Sequence, residues 1–424
     1  MIAYRKACLA TFAAAGTLVV AVPQVAEAAC SATIGVVMEL TGGAGQFGQA
    51  GAKAVQMALD DFAKAGGDVV CSLKADVRDS QGQGTVGVDA AKQLVDIGHV
   101  PVIIGSIISS VTLPILTSVT APAKVVQIAP VSSSPTFTIL AKEGKTNGVF
   151  FRTIPDDTLQ GVALAKLAVD QKMTRLSVLY VNNDYGVNLI KQFRAAYKAL
   201  GGTVLSDTPY NEKQPSYQAE VTQALAAKPE ALFLIGYPGD GATVARSWIS
   251  QGGPQKFLLN EGLNASDFID PVGAKYLNDA YGTSSGTAHT ASTEYFDANY
   301  KKATDLDPAT PAADRSYDAG AIVALAVAQA GSADKEAIRA SIRKVVDPKG
   351  TEVSAGPDGF KKALALIKDG KAIRYVGVIG PIQFDANGDI TGPFQEWRIK
   401  DGKVANMAEI STAEVDAIKG KIPQ

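Results

Sequence analysis

The chain has 424 residues, enough for two cores, with 40 Lys and Arg against 42 Asp and Glu and a formal net charge of −2. This balance, without a basic patch or a basic amphipathic face, excludes nucleic acid and a membrane surface as partners. His99 and His289 are the only histidines, far apart, and no set of residues has metal-ligand spacing, so no metal is expected.

The chain opens with an export signal. Arg5 and Lys6 precede the apolar run Ala7 to Val22, Pro23 ends it, and Ala26-Glu27-Ala28 fits a small-x-small cleavage site. The run falls short of the about 20 residues that span a bilayer. Lipidation at Cys30 is disfavoured, because Glu27 stands where an aliphatic residue is needed. Residues 1–28 are therefore expected to be removed, leaving a soluble chain outside the cytoplasm. Cys30 and Cys71 remain in the first two strands. A disulfide between neighbouring strands is expected in that compartment, with two buried thiols as the alternative.

The first unit is a strand (33–38), a glycine-rich loop (42–51) and an amphipathic helix ending at Gly66-Gly67. Strand, glycine loop and helix start form a ligand-holding arrangement, because backbone N–H groups are left free there. A strand over 69–77, a helix over 85–97, a strand over 100–105, a helix over 109–121 and a strand over 125–129 follow. After Phe150-Phe151-Arg152 a second series begins, with helices over 156–171, 187–200, 216–227 and 242–251. Its strands are expected over 176–181, 203–206, 231–235 and 257–260. Alternation of this kind predicts doubly wound parallel sheets. The two series read as two copies of one architecture. Past Gly282 helices are expected over 292–304, 316–331 and 334–345. A hairpin-like unit then turns at Asn387-Gly388 and Asp401-Gly402.

Several strand ends carry polar groups, and ligands bind at such ends in open α/β sheets. Ile103 to Ser110 (IIGSIISS) places Ser109 and Ser110 where a strand gives way to a helix start, suited to an anion or to plain N-capping. Ala129 to Pro135 (APVSSSP) adds Ser132 and Ser133 as a second polar wall. Tyr185 (NDYG) and Tyr237 (IGYPGDG) offer flat apolar faces with one donor each. Glu261 (LLNEGL) puts a carboxylate at another strand end. Gly43-x-Gly45-x-x-Gly48 matches a dinucleotide fingerprint in form, but the intervening Gln46 and Phe47 delay the helix and no cofactor is expected. Asp385 to Glu396 resembles a calcium loop, yet Ile390 stands where such a loop needs glycine, so a hairpin turn is expected.

In this order the segments LTGGAGQFGQAGAKAVQMALDDFAKAGG, IIGSIISSVTLP, IAPVSSSPTFT, NDYG and GPIQFDANGD resemble the periplasmic solute-binding proteins of the branched-chain amino acid type, which serve ABC importers. The resemblance spans nearly the whole mature chain. It implies a type I periplasmic binding fold: two doubly wound parallel-sheet lobes, joined by three hinge crossings near Arg152, Thr283 and Thr391. Lobe one would hold 29–152 and 284–391, and lobe two 153–283 and 392–424. It further implies a monomer that binds a ligand between the lobes and passes it to a membrane permease. By this resemblance Ser109, Ser132 and Ser133 hold the ligand carboxylate. Phe47 lies at the cleft edge, Tyr185 and Tyr237 close over the ligand, and Glu261 meets its ammonium. Tyr281 stands where branched-chain amino acid binders have a glutamate, which points as well to an aromatic carboxylate or an amide. A sensor feeding a membrane receptor would carry the same lobes. A secreted enzyme would need a convergent acid–base or nucleophile set, which the sequence does not offer.

Overall fold

The computed structural model describes residues 30–422, and the expected export signal lies outside them. The first sheet holds β1 (Cys30–Met38), β2 (Cys71–Asp79), β3 (Val102–Gly105), β4 (Val126–Ala129) and β5 (Phe150–Arg152), in the order β2-β1-β3-β4-β5. Every pair is parallel. The apolar run of β1 follows, since helices cover both faces of such a sheet. Cys30 and Cys71 are register partners on β1 and β2, and their sulfurs are bonded across a Cα separation of 4.3 Å.

The second sheet repeats this winding with β6 (Arg175–Val181), β7 (Thr203–Tyr210), β8 (Ala231–Ile235), β9 (Phe257–Leu259) and β10 (Ala280–Ser285), ordered β7-β6-β8-β9-β10. A small sheet of β11 (Thr351–Val353), β12 (Ile373–Gly377) and β13 (Gly380–Pro381) sits apart. The antiparallel strands β14 (Phe394–Lys400) and β15 (Lys403–Ile410) extend the second sheet beyond β10. The hairpin expected at the end of the chain is therefore this pair alone, turning at Asp401-Gly402, both at positive φ. Asn387-Gly388 makes a separate turn, in which the Asp385 carboxylate accepts the Asn387 and Asp389 N–H groups.

The chain passes between the two sheets three times: after Arg152, after Ser285, and between Pro381 and Phe394. The long helix Ala313–Ala330 packs on helix Gly45–Lys64 of the first unit, so the segment after β10 returns to the first sheet.

The glycine-rich segment differs from expectation. Only Gly42 to Ala44 is loop, because the helix starts at Gly45. Gly48 and Gly51 are helical and serve close packing. A Cβ at Gly48 would fall on the Glu39 carbonyl oxygen, and one at Gly51 would come within 2.7 Å of Ser316 Oγ. The glycines bring the helix down onto the end of β1, which aims Phe47 of the first turn inward.

Candidate functional site

A cleft of about 460 Å³ lies where the strand ends of the two sheets face each other. From the first sheet come Ile107 and Ser109 after β3, Val131 and Ser133 after β4, and Ile154 after β5. From the second come Tyr185 after β6, Tyr237 after β8 and Glu261 after β9, with Gln160 from helix Asp157–Asp170. Phe47, Pro311 and Ala312 complete the wall. Each sheet stops its parallel strands at the same end, so the loops that follow converge.

The structure thus brings together Phe47, Ser109, Ser133, Tyr185, Tyr237 and Glu261. Ser132 is not on the cleft surface. Its hydroxyl is fully buried against Thr112 Oγ1 (2.6 Å) and the carbonyls of Ser106 (3.0 Å) and Ile107 (3.1 Å). It ties the two serine loops together from behind. Tyr281 also stands away from the lining, in β10, in register with Leu258 and Arg398. The physical reason is strand alternation in a sheet: successive side chains leave opposite faces, and only the loops beyond the strand end meet the cleft.

Ser109 opens helix Ser109–Ile115 at its first helical position, with no side-chain cap before it. Its hydroxyl accepts the Ser134 N–H at 3.3 Å, so it is not itself the cap. Arg152, fully buried at the end of β5, fixes the neighbouring serine loop. It donates to the carbonyls of Ser134 (3.0 Å) and Ser132 (3.3 Å) and pairs with Asp389 at 2.7 Å.

Tyr185 and Tyr237 stack at a centroid distance of 5.9 Å. The Tyr185 hydroxyl accepts from Asn260 Nδ2 at 2.9 Å, and Asn260 also clamps the Gly236 backbone through its N–H and carbonyl. Glu261 is 9% exposed, and its Oε2 accepts from the Ser285 N–H (3.2 Å), the Ser285 hydroxyl (3.1 Å) and Gln160 Nε2 (3.3 Å). Burial pushes its carboxyl above the usual range, with Arg315 and Ser285 opposing.

Sequence reasoning missed Asp157. It is fully buried at the start of helix Asp157–Asp170, and neither carboxylate oxygen has a hydrogen-bond partner among the described residues. Its N–H donates to the carbonyl of the cleft-lining Ser133 at 2.9 Å, so it stands behind that wall and outside the lining itself. Burial drives its carboxyl well above the ordinary value; the nearby Ser133 hydroxyl and Arg152 oppose this in part, while the charges of Asp156 and Glu261 add to it. The signal was present as Asp156-Asp157. Asp156 caps the helix by accepting the Thr158 N–H, so the second aspartate has no capping work left. Gln160, one turn further on, was missed as well.

The two halves touch across the cleft mouth. Gly239 N–H donates to the Gly43 carbonyl at 3.2 Å, Gln46 Nε2 to Ser266 Oγ at 3.0 Å, and Thr136 Oγ1 to Asp184 Oδ1 at 2.8 Å. This is a closed arrangement. Among the described residues, no helix is long and apolar enough to cross a membrane and no group of three acidic, His or Cys side chains could hold a metal.

Residues 31–393 match the family model described as periplasmic binding protein. The Leu/Ile/Val-binding protein homolog 3 of Brucella melitensis is 26% identical over 378 residues, covering 88% of this chain and 93% of that one. BasB, a chemotactic signal transduction system substrate-binding protein of Halobacterium salinarum, is 27% identical over 366 residues, covering 84% and 83%. The leucine binding protein LivK of Thermotoga maritima shares the fold with a TM-score of 0.75 at 23% identity, over 90% of this chain and 99% of that one. Matched along both sheets, and built around a cleft between them, the chain belongs to the periplasmic binding proteins and has their type I fold: a solute-binding protein of the extracytoplasmic space, not an enzyme.

Proposed function

We propose that this protein captures a small molecule bearing both an amine and a carboxylate, an amino acid with an apolar side chain, and delivers it to the membrane permease of an ABC importer. The observation that carries the reading is the pair Asp157 and Glu261. Both are buried beside the cleft, and among the described residues neither Asp157 oxygen has a hydrogen-bond partner of normal geometry. A buried carboxylate that the Ser133 hydroxyl and Arg152 offset only in part is costly, so a ligand ammonium placed between them is strongly favoured. At the other side Ser109 and Ser133 offer groups for the carboxylate, and Phe47, Ile107, Val131, Ile154 and the tyrosine pair suit an apolar side chain. An aromatic carboxylate without an amine leaves both acids unneutralised and is disfavoured.

We read the three crossings as hinges between lobe one (29–152 and 284–391) and lobe two (153–283 and 392–424). Ligand first meets the serine loops, and the tyrosine-bearing lobe then swings in. The closed state is favoured only by contacts that the open state lacks, which Tyr185, Tyr237 and Glu261 supply. In this reading the protein works as a monomer after cleavage of residues 1–28. Thermal unfolding against aliphatic and aromatic amino acids, their amides and their des-amino acids tests it. A ligand at about 1,000 times its dissociation constant adds roughly 4 kcal/mol, a shift of several degrees. A shift with amino acids is expected; a shift only with acids lacking an amine would overturn the assignment of Asp157 and Glu261.

The similarity to BasB favours a second role, ligand sensing for a membrane receptor. Uptake of the labelled ligand by cells lacking this chain separates the two. Lost uptake is expected for the importer, and intact uptake with lost chemotaxis for the sensor.

A further inference from the structure

Glu39, at the end of β1, is a buried carboxylate that the ligand-capture scheme leaves unused. It is fully buried and lies beneath the first serine loop. Its Oε2 accepts the Ile107 N–H at 3.0 Å, and its Oε1 accepts the Ser106 hydroxyl and the Ile108 N–H (3.5 Å). Burial raises its carboxyl above the ordinary value, and the Ser106 hydroxyl and the two backbone N–H donors oppose that rise in favour of the ionised form. Ile107 and Ser109, on either side of this turn, both line the cleft. The Glu39 backbone supports the helix carrying Phe47, through the close approach of Gly48. Glu39 therefore stands directly behind the lobe-one seat. Its charge reaches Tyr237 on the facing lobe, whose hydroxyl is pushed up by burial first, then by Glu212 and more weakly by Glu39.

Two consequences follow from the geometry. The N–H groups of Ile107 and Ile108 would otherwise be free at this helix start to receive a ligand anion, and they are turned inward onto a resident one. Among the described residues no cation pairs with it: the buried Arg152 pairs with Asp389 and Asp156, and Arg315 with Asp314. Glu39 thus adds a third buried carboxylate around a cleft already flanked by Asp157 and Glu261.

We propose that Glu39 is a specificity-determining residue that sets the charge preference of the cleft, turning it against ligands of net negative charge and toward cationic or zwitterionic ones. It acts through the loop and the field, without touching the ligand. The inference rests on the reading of the cleft as an amino-acid site.

The test compares the full chain with its Glu39→Gln variant by titration calorimetry, using leucine, leucinamide and 4-methylpentanoate, and the matching phenylalanine series. Glutamine keeps an acceptor for the Ile107 N–H and removes the charge. The expected result is a shift of about tenfold in the ratio of dissociation constants, in favour of the free acid over the amide. That is the order expected of one unit charge acting across a few side chains in a medium of intermediate dielectric. Thr112→Val loosens the same turn, by removing the hydroxyl that bonds the Ser106 N–H and carbonyl, without touching Glu39, and is expected to leave the ratio unmoved. If the glutamine variant fails to fold, Glu39→Met removes the charge with a side chain of similar length. A ratio unchanged within about twofold in the charge-free variant, or moved equally by Thr112→Val, would overturn the inference while the amino-acid reading stands. Wild-type protein that binds no amino acid or amide of either series would overturn both together.

Discussion

Asp157 is the residue on which the ligand assignment turns. An isolated buried carboxylate lowers the stability of the empty protein and raises affinity for a cation, so its two effects have opposite signs. Asp157→Asn should therefore raise the melting temperature of the ligand-free protein and weaken amino-acid binding by about 2–5 kcal/mol, the loss expected when one partner of a buried charge pair is truncated. Calorimetric unfolding and titration of the same preparation check both signs at once. Weaker binding together with lower stability would instead mark Asp157 as a structural residue. Ser109 and Ser132 illustrate the limit of motif reading at this scale. Both belong to serine-bearing strand ends, yet only Ser109 lines the cleft, while Ser132 binds two carbonyls and a threonine behind it. Which hydroxyl of a serine run faces a cavity depends on loop torsions that no residue type encodes.

At the scale of elements, β5 connects the first crossing to the serine loops. Arg152 at its end holds the carbonyls of Ser132 and Ser134 while pairing with Asp389 on the third crossing. Thr138 closes the cluster, donating to Asp389 at 2.6 Å and accepting from Arg152 at 2.8 Å. Arg152→Met leaves Asp389 with a largely buried, unpaired charge and should cost about 3–5 kcal/mol in urea unfolding. Adding Asp389→Leu removes the orphaned charge and should recover much of the loss. No recovery in the double variant would place the stabilisation in the carbonyl contacts instead. The helix Gly45–Lys64 shows the other side of element prediction. Its apolar period was readable through Ala54, Val55, Ala58, Leu59 and Phe62, all buried, but its start was not. Glycines at 45, 48 and 51 look like loop on propensity alone. Within the helix, Gly48 is required where the end of β1 comes too close for a Cβ, and Gly51 where Ser316 of helix Ala313–Ala330 does.

For the whole molecule, ligand binding and pH are linked through buried acids. Asp157, Glu261 and Asp318 all have carboxyls raised by burial, Asp318 to about 7. A raised folded-state value contributes stability that is fully present below the ordinary carboxylate range and is lost as pH rises through the raised value. The ligand-free protein should therefore lose stability as pH rises above the ordinary carboxylate range through these groups, the Asp318 share going as pH passes about 7. An ammonium between Asp157 and Glu261 lowers both values and cancels their share of the loss. Asp318, held by the Val378 and Ile379 N–H groups and the Tyr375 hydroxyl and outside the cleft lining, keeps its own. The thermal shift produced by a saturating amino acid should thus be larger at about pH 8 than at about pH 5, with protons released on binding. Equal shifts, together with no proton release in buffers of different ionisation enthalpy, would separate the ligand from these acids.

Alternating strands and helices, the two repeated series, the cysteine pair and the polar strand ends were all set by local sequence. Period, turn chemistry and compartment act over a few residues and leave direct traces in residue order. The antiparallel extension by β14 and β15, the inward position of Ser132, the withdrawal of Tyr281 into β10 and the burial of Glu39 and Asp157 were decided only in three dimensions. Each depends on which segments far apart in the chain come to share a surface, and on which polar groups that surface then cuts off from water. An aspartate at a helix start is an ordinary cap by sequence. It becomes a candidate ligand contact only when segments folded from another part of the chain cover it and leave its charge answered only in part.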